Sequence, residues 1–151
     1  SIIIFLFVGV MAVFSFIEQN KEADQEKKFL TDQNLYLTGI VDKTMPKNDS
    51  YRGNIVIYLQ NFKSNKDTAY DCIYKSKYPY CKIRAHEALI MGHDYMEPGD
   101  SVVFNTAVLK YTLYKRGKLY VENGISIDDE DWLYDRLDLK GYLTFDYYHK
   151  K

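Results

Sequence analysis

The hydrophobic pattern of the chain changes abruptly after residue 17. Residues 1–17 (SIIIFLFVGVMAVFSFI) carry no charge, and only Ser1, Gly9 and Ser15 interrupt the run of bulky apolar side chains. At a rise of about 1.5 Å per residue, such a helix spans roughly 25 Å, close to the hydrocarbon thickness of a bilayer. We therefore predict that residues 1–17 form a transmembrane anchor. Because the chain opens on Ser, we also expect further residues upstream.

Two other interpretations of this segment stay open. A cleaved signal peptide has a shorter apolar region and ends at a small-x-small site, and residues 14–19 (FSFIEQ) offer no such site. A helix buried in a protein core is the third interpretation. The absence of a cleavage site favours the uncleaved anchor.

Beyond residue 17 the pattern predicts a stalk and then a β-rich domain. Residues 18–33 are polar helix formers without Gly or Pro, so we expect the helix to continue into water. Apolar and polar residues alternate from Leu35 onwards, which predicts about six short strands, including a hairpin over residues 108–122 and a last strand over residues 141–148. Residues 126–137 are predicted to be helical. We expect residues 34–151 to form one small, mainly β domain, a partly open barrel with one short C-terminal helix.

Three short stretches resemble a known kind of protein. They are LTGIVD at residues 37–42, RGNIVI at residues 52–57 and PGDSV at residues 98–102. They are similar to elements of small bacterial envelope proteins of unknown function, which carry an N-terminal anchor and a compact OB-like β-domain. The resemblance implies an OB-like barrel and carries over no catalytic residue.

The flank of the apolar segment bears on localisation. Between residues 18 and 28 the chain has three Lys against four acids, so this flank shows no basic excess. Because positive residues are retained on the cytoplasmic side, the flank favours a single-pass protein whose soluble domain lies outside the cytoplasm.

The two cysteines allow two interpretations. Cys72 and Cys81 bracket a ten-residue stretch whose spacing suits a disulfide that closes a hairpin, as expected in an oxidising compartment. The other interpretation is a pair of unlinked, buried thiols. The spacing does not match the paired CxxC pattern of zinc sites.

Motifs for catalysis or cofactor binding are missing from the sequence. His86, Glu87, His93 and Asp94 lie close together, but six residues separate the histidines, so the HExxH pattern of zinc proteases fails. The acidic run at residues 128–131 lacks the alternate spacing of a calcium loop. We expect no metal and no cofactor. A hydrolase that uses His86, Glu87 and Asp94 is kept as an alternative function.

A segment rich in tyrosine and basic residues is the best candidate for binding. Residues 61–84 carry six basic residues against two acids, interleaved with tyrosines that can stack on sugars or lie at headgroups. The alternative is that these tyrosines fill strands. The predicted binding residues are Tyr70, Tyr74, Tyr78, Tyr80, Lys75, Lys77, Lys82 and Arg84.

These observations predict a membrane-anchored, non-enzymatic binding or assembly domain of the cell envelope. Its expected partners are the lipid bilayer through residues 1–17, and an envelope protein, a glycan or anionic lipid headgroups. Single-stranded nucleic-acid binding by the OB-like domain is a further alternative. The net charge of −1 counts against it, because nucleic-acid binders carry a basic excess.

Overall fold

One continuous helix opens the fold. The computed structural model describes residues 2–45, 54–75, 79–125, 127 and 139–150. Helix α1 spans Ile2–Gln33 and crosses from the apolar segment into the polar stalk without a break. Residues 10–33 contain neither Gly nor Pro, so nothing in the backbone interrupts the hydrogen-bond ladder at the change of composition.

The first half of α1 lies outside the core. The helix is long and apolar enough to cross a membrane, and its most apolar window is 0% buried. The bulky side chains between Ile3 and Ile17 are exposed by 51–81%. The interpretation of this segment as a buried core helix is therefore wrong.

The rest of the chain is dominated by one antiparallel sheet. Its strands are β1 Tyr36–Met45, β2 Asn54–Ser64, β3 Tyr70–Cys72, β4 Cys81–Ile83, β5 Ala88–His93, β6 Ser101–Asn105, β7 Lys110–Lys115 and β8 Lys118–Gly124. They pair in the order β3-β4-β5-β2-β1-β6-β7-β8. The sheet curls into an eight-stranded half-barrel, and strands account for about 41% of the residues that the structure describes. The predicted fold class, a mainly β, partly open barrel behind an N-terminal helix, is confirmed.

The concave face of the sheet holds the main core. The alternation seen in the sequence places Leu37 and Val41 of β1 there, with Ile57 and Leu59 of β2. A bulge beside Val41 bends β1. Gly39 pairs with Phe62, and a Cβ at residue 39 would meet the Phe62 Cβ at 3.0 Å and the Asn61 carbonyl oxygen at 3.0 Å. The absence of a side chain at Gly39 therefore lets the two strands approach.

The C-terminal segment is helical and not a strand. Helix α2 spans Leu139–Tyr142 and helix α3 spans Phe145–His149, so the predicted strand over residues 141–148 is wrong. Leu143, in the turn between the two helices, and Tyr148 of α3 are buried together with Tyr58 on the convex face of the sheet. In a strand, two residues five apart would lie on opposite faces. The helix predicted over residues 126–137 lies outside the described residues, apart from Ile127.

The antiparallel register divides the strand connections between two rims of the half-barrel. The β3–β4 and β7–β8 connections lie at one rim, here called the helix rim, and the β4–β5 and β6–β7 connections lie at the other, the far rim. Helix α1 runs antiparallel to β3, because Gln33 contacts Tyr70 at the start of β3 and Glu22 contacts Lys75 beyond its end. The exposed apolar half of α1 therefore projects past the helix rim.

Replacing Gly39 by Ala tests the close approach of β1 and β2. We expect G39A to lower the free energy of unfolding by about 1–3 kcal/mol, because the added methyl is crowded against the Asn61 carbonyl oxygen and the Phe62 Cβ of the paired strand. Urea denaturation of the full chain in detergent micelles measures the change. The control is G141A in α2, where a Cβ meets nothing within 4 Å and helix propensity improves. Equal losses in both variants would contradict the packing described for Gly39.

Candidate functional site: the helix joint and the open sheet face

The second half of α1 is docked onto the barrel. Glu26 and Leu30 are both 0% exposed, and Leu30 belongs to the main core together with Leu35. The ring of Phe29 packs against Tyr74, with 5.3 Å between the ring centroids. The polar stalk is therefore part of the folded domain over its last three turns.

Polar contacts hold the same joint. The Tyr80 hydroxyl donates a hydrogen bond to the buried Glu26 carboxylate. The Tyr70 hydroxyl donates to Gln33 Oε1 at 2.6 Å, and burial raises the pKa of Tyr70, so the phenol keeps its proton. On the exposed side, Lys75 Nζ lies 3.2 Å from Glu22 Oε1. We call these contacts of residues 22–33 with the β3–β4 region the helix joint.

The helix joint uses half of the residues predicted to bind a partner. Tyr74 and Tyr80 are 7% and 8% exposed, so their rings are directed into the protein. Lys82 and Arg84 instead contact the C-terminal segment. Lys82 Nζ donates to the Leu143 carbonyl at 3.1 Å, and both cations lie within 6 Å of the Phe145 ring.

Arg84 has a further contact, and two members of the predicted binding set are not described by the structure. Arg84 also forms an ion pair with Asp71 at 2.7 Å. Lys77 and Tyr78 lie outside the described residues. The binding role of the set stays a prediction, while each described member has a contact within the chain.

The sequence did carry a signal for the joint. Glu22, Glu26, Phe29 and Gln33 follow one another at intervals of three or four residues, and Leu30 lies four residues after Glu26, which places all five along one face of a helix. Three of the five are polar, so the stripe does not stand out by hydrophobicity. Its partners are tyrosine hydroxyls and a lysine, which a search for apolar periodicity does not detect.

The two cysteines face each other across the β3–β4 hairpin. Cys72 pairs with Cys81 in the register, as the spacing suggested, but both are free, buried thiols. The predicted disulfide is therefore not formed, and the alternative of two unlinked thiols holds. Burial raises the pKa of the Cys72 thiol to about 11 and that of Cys81 well above its usual value. Neither is ionised near neutral pH, so neither is an activated nucleophile.

The His and acidic residues considered for hydrolysis are not brought together. Glu87 precedes β5 and Asp94 follows it, so the six-residue strand separates them by roughly 20 Å. Glu87 Oε2 instead accepts a hydrogen bond from the Tyr58 hydroxyl at 2.9 Å and contacts His149 Nε2 at 2.6 Å. Glu87 thus fastens α3 to the sheet. Within the described ranges, no group of three or more His, Cys, Asp or Glu side chains could hold a metal ion.

One half of the convex sheet face is left open by the residues that the structure describes. The C-terminal helices cover the half around β2 and β5, whereas no described segment covers the half formed by β1, β6, β7 and the end of β2. Two rows of paired residues cross it, Lys63–Thr38–Val103–Thr112 and Asn61–Ile40–Ser101–Tyr114. This open face forms a shallow groove with a volume of about 660 Å³, and Ala85 and His86 of the β4–β5 turn border it.

The groove is suited to a polar ligand. Its described lining combines hydroxyl and amide groups with the Lys63 cation, the Tyr114 ring and the apolar side chain of Ile40, and it includes neither Asp nor Glu. Ile40 is 43% exposed at its centre. Sequence reasoning missed this surface because its residues span positions 38 to 114 and converge only through the strand register.

Comparison with protein-family models, with curated proteins and with solved structures finds no match to this chain. The resemblance to small envelope proteins therefore stays a prediction.

Removing the hydroxyl of Tyr80 tests the helix joint. We expect Y80F to lower the free energy of unfolding by about 1–3 kcal/mol, because the buried Glu26 carboxylate loses a donor that water cannot replace. The measurement is urea denaturation in detergent micelles. The matched control is Y70F, whose half-buried partner Gln33 can bind water and should lose less. A Y80F loss no larger than that of Y70F would contradict a buried polar anchor.

Thiol labelling tests the state of the cysteines. With the Cys72 pKa raised to about 11, we expect iodoacetamide at about pH 8 to alkylate the folded chain roughly two hundredfold more slowly than the unfolded chain. Unfolding without reductant should then expose both of the chain's two thiols, counted by mass spectrometry. Labels that appear only after reduction would show that a disulfide had formed after all.

Proposed function

We propose that this protein is a single-pass membrane protein that holds a non-enzymatic binding or assembly domain in a fixed orientation at the bilayer surface. The exposed apolar half of α1 is its anchor, and the half-barrel is its working domain. The role belongs to the cell envelope, with the domain outside the cytoplasm, as the flank charges of residues 18–28 suggest.

The helix joint is the observation that carries this proposal. An ordinary tether is a flexible chain that lets its domain rotate freely. Here the same helix that carries the apolar segment is buried in the domain at Glu26 and Leu30. Only about five residues, or roughly 8 Å of helix, separate Ile17 from the first joint contact at Glu22. The barrel is therefore held close to the membrane and cannot swing about the helix end.

The open face is the proposed contact surface for the partner. It reaches towards the far rim, where Lys63 and His86 lie, and is therefore accessible from the aqueous side of an anchored domain. Its hydroxyl, amide and cationic groups suit an envelope glycan or protein that offers hydrogen-bond acceptors. The Tyr114 ring adds a surface for stacking.

A photo-crosslinker placed at Ile40 tests both parts of the proposal. We expect the full chain with benzoylphenylalanine at residue 40 to resist alkaline carbonate extraction from native membranes and to yield a discrete crosslinked adduct. The same group at Val108 should yield none, since this residue is 57% exposed on the far rim and lies outside the groove. Mass spectrometry then identifies a protein or a glycan.

A chain that begins at Glu18 is the second control. It keeps the joint residues 22–33 but lacks the apolar segment, so it should stay in the supernatant and lose the adduct. Extraction of the full chain by carbonate would refute the anchor. The same adduct from Ile40 and Val108 would refute the open face as the contact surface.

A further inference from the structure

The β7–β8 hairpin presents an exposed group of basic and apolar side chains at its tip. Leu119 and Tyr120 are 63% and 57% exposed, and the neighbouring Arg116 and Lys118 are exposed as well. Exposed Leu and Tyr beside cations form the side-chain combination that is favoured at the membrane–water interface.

The turn itself has an unusual residue. Arg116 and Gly117 have φ values of 52° and 75°, as in the type I′ turn that connects hairpins. The first of these two positions usually holds Asn, Asp or Gly, because a long side chain is strained there. Arg116 thus occupies the tip at a conformational cost, with its side chain exposed to solvent.

None of the acids that the structure describes pairs with Arg116 or Lys118 at this tip. Lys115 engages both acids that face it, with Nζ at 2.9 Å from Glu97 and 3.1 Å from Asp100. Among the residues that the structure describes, Arg116 and Lys118 have no ion-pair partner. The tip therefore carries two available positive charges next to two exposed apolar side chains.

The hairpin lies at the helix rim, the end of the half-barrel past which the apolar segment projects. On the side of α1, this rim is level with Glu22, roughly 8 Å beyond the end of the apolar segment. The headgroup region of one leaflet is roughly 5–8 Å thick. The helix rim is thus adjacent to the headgroups once the helix spans the bilayer.

We propose that the β7–β8 hairpin tip, Arg116, Lys118, Leu119 and Tyr120, is a second membrane contact that binds anionic phospholipid headgroups of the bilayer that α1 spans. This inference rests on the proposed anchoring by α1. The apolar helix supplies attachment, the helix joint sets the height of the domain, and the hairpin tip fixes its rotation about the helix axis.

Depth-dependent fluorescence quenching by brominated lipids tests the contact. The full chain, with its single Trp replaced as W132F, is placed in vesicles containing phosphatidylserine, and one Trp is introduced at a time. We expect L119W to lose emission with lipids brominated near the headgroup. V108W on the far rim, at a similar 57% exposure, should lose none. Replacing Arg116 and Lys118 by Gln should weaken binding of the tip to the headgroups by about fivefold for each charge removed. Vesicles of neutral lipid should weaken this binding as well.

A third Trp separates the two proposals. F14W lies in the exposed apolar segment and should be quenched by lipids brominated deep in the acyl chains. If F14W is quenched and L119W behaves like V108W, the hairpin contact is refuted and the anchor stands. If F14W is not quenched, the anchor fails and the hairpin contact fails with it.

Discussion

The buried hydrogen bond between Tyr80 and Glu26 constrains the arrangement of the whole molecule. A carboxylate removed from water is costly unless a donor meets it, so Glu26 can be buried only while the β3–β4 region stays against α1. An apolar contact alone would tolerate sliding of the helix along the barrel. The hydrogen bond between Tyr80 and Glu26 does not tolerate such sliding, and it therefore sets the register between helix and sheet.

The lengths of the two elements agree with this register. Between Glu22 and Gln33 the helix rises roughly 16 Å, which is about the length that five residue steps from Tyr70 to Lys75 would cover at the rise of a strand. The outer contacts, Tyr70 with Gln33 and Lys75 with Glu22, therefore form at the same time as the central hydrogen bond between Tyr80 and Glu26. The direction of the apolar segment is then fixed relative to every strand, which is why a rim of the barrel can be assigned to the membrane side.

The broad architecture was predictable because it depends on patterns that are local in sequence. An uncharged run of 17 residues and an alternation of period two need only neighbouring residues to be recognised. The strand predicted over residues 141–148 was wrong, because Leu143 and Tyr148 pack with Tyr58 through a turn and a short helix, a long-range contact that the local pattern does not show. The binding role of the tyrosine-rich segment stays a prediction. Its contacts with the stalk could not be predicted from local patterns, because Gln33 lies 37 residues before Tyr70 and Glu26 lies 54 residues before Tyr80. The open face depends on strand order, which the sequence pattern does not specify.

Most of the described sheet surface is covered by other parts of the chain, so the uncovered surfaces are the candidates for binding. The concave face is closed by its own side chains and by Leu30 of the helix, and half of the convex face is closed by Leu143 and Tyr148. Glu87 fastens that cover through Tyr58 and His149, so the acidic side chain that first suggested catalysis has a structural partner on each side. Over most of the described surface, the tyrosines and charged side chains thus make contacts within the chain. At the β7–β8 tip, Arg116 and Lys118 have no ion-pair partner among the described residues, and Leu119 and Tyr120 stay exposed although the Tyr120 ring contacts Lys115. The tip and the open face are therefore the surfaces for which we propose binding.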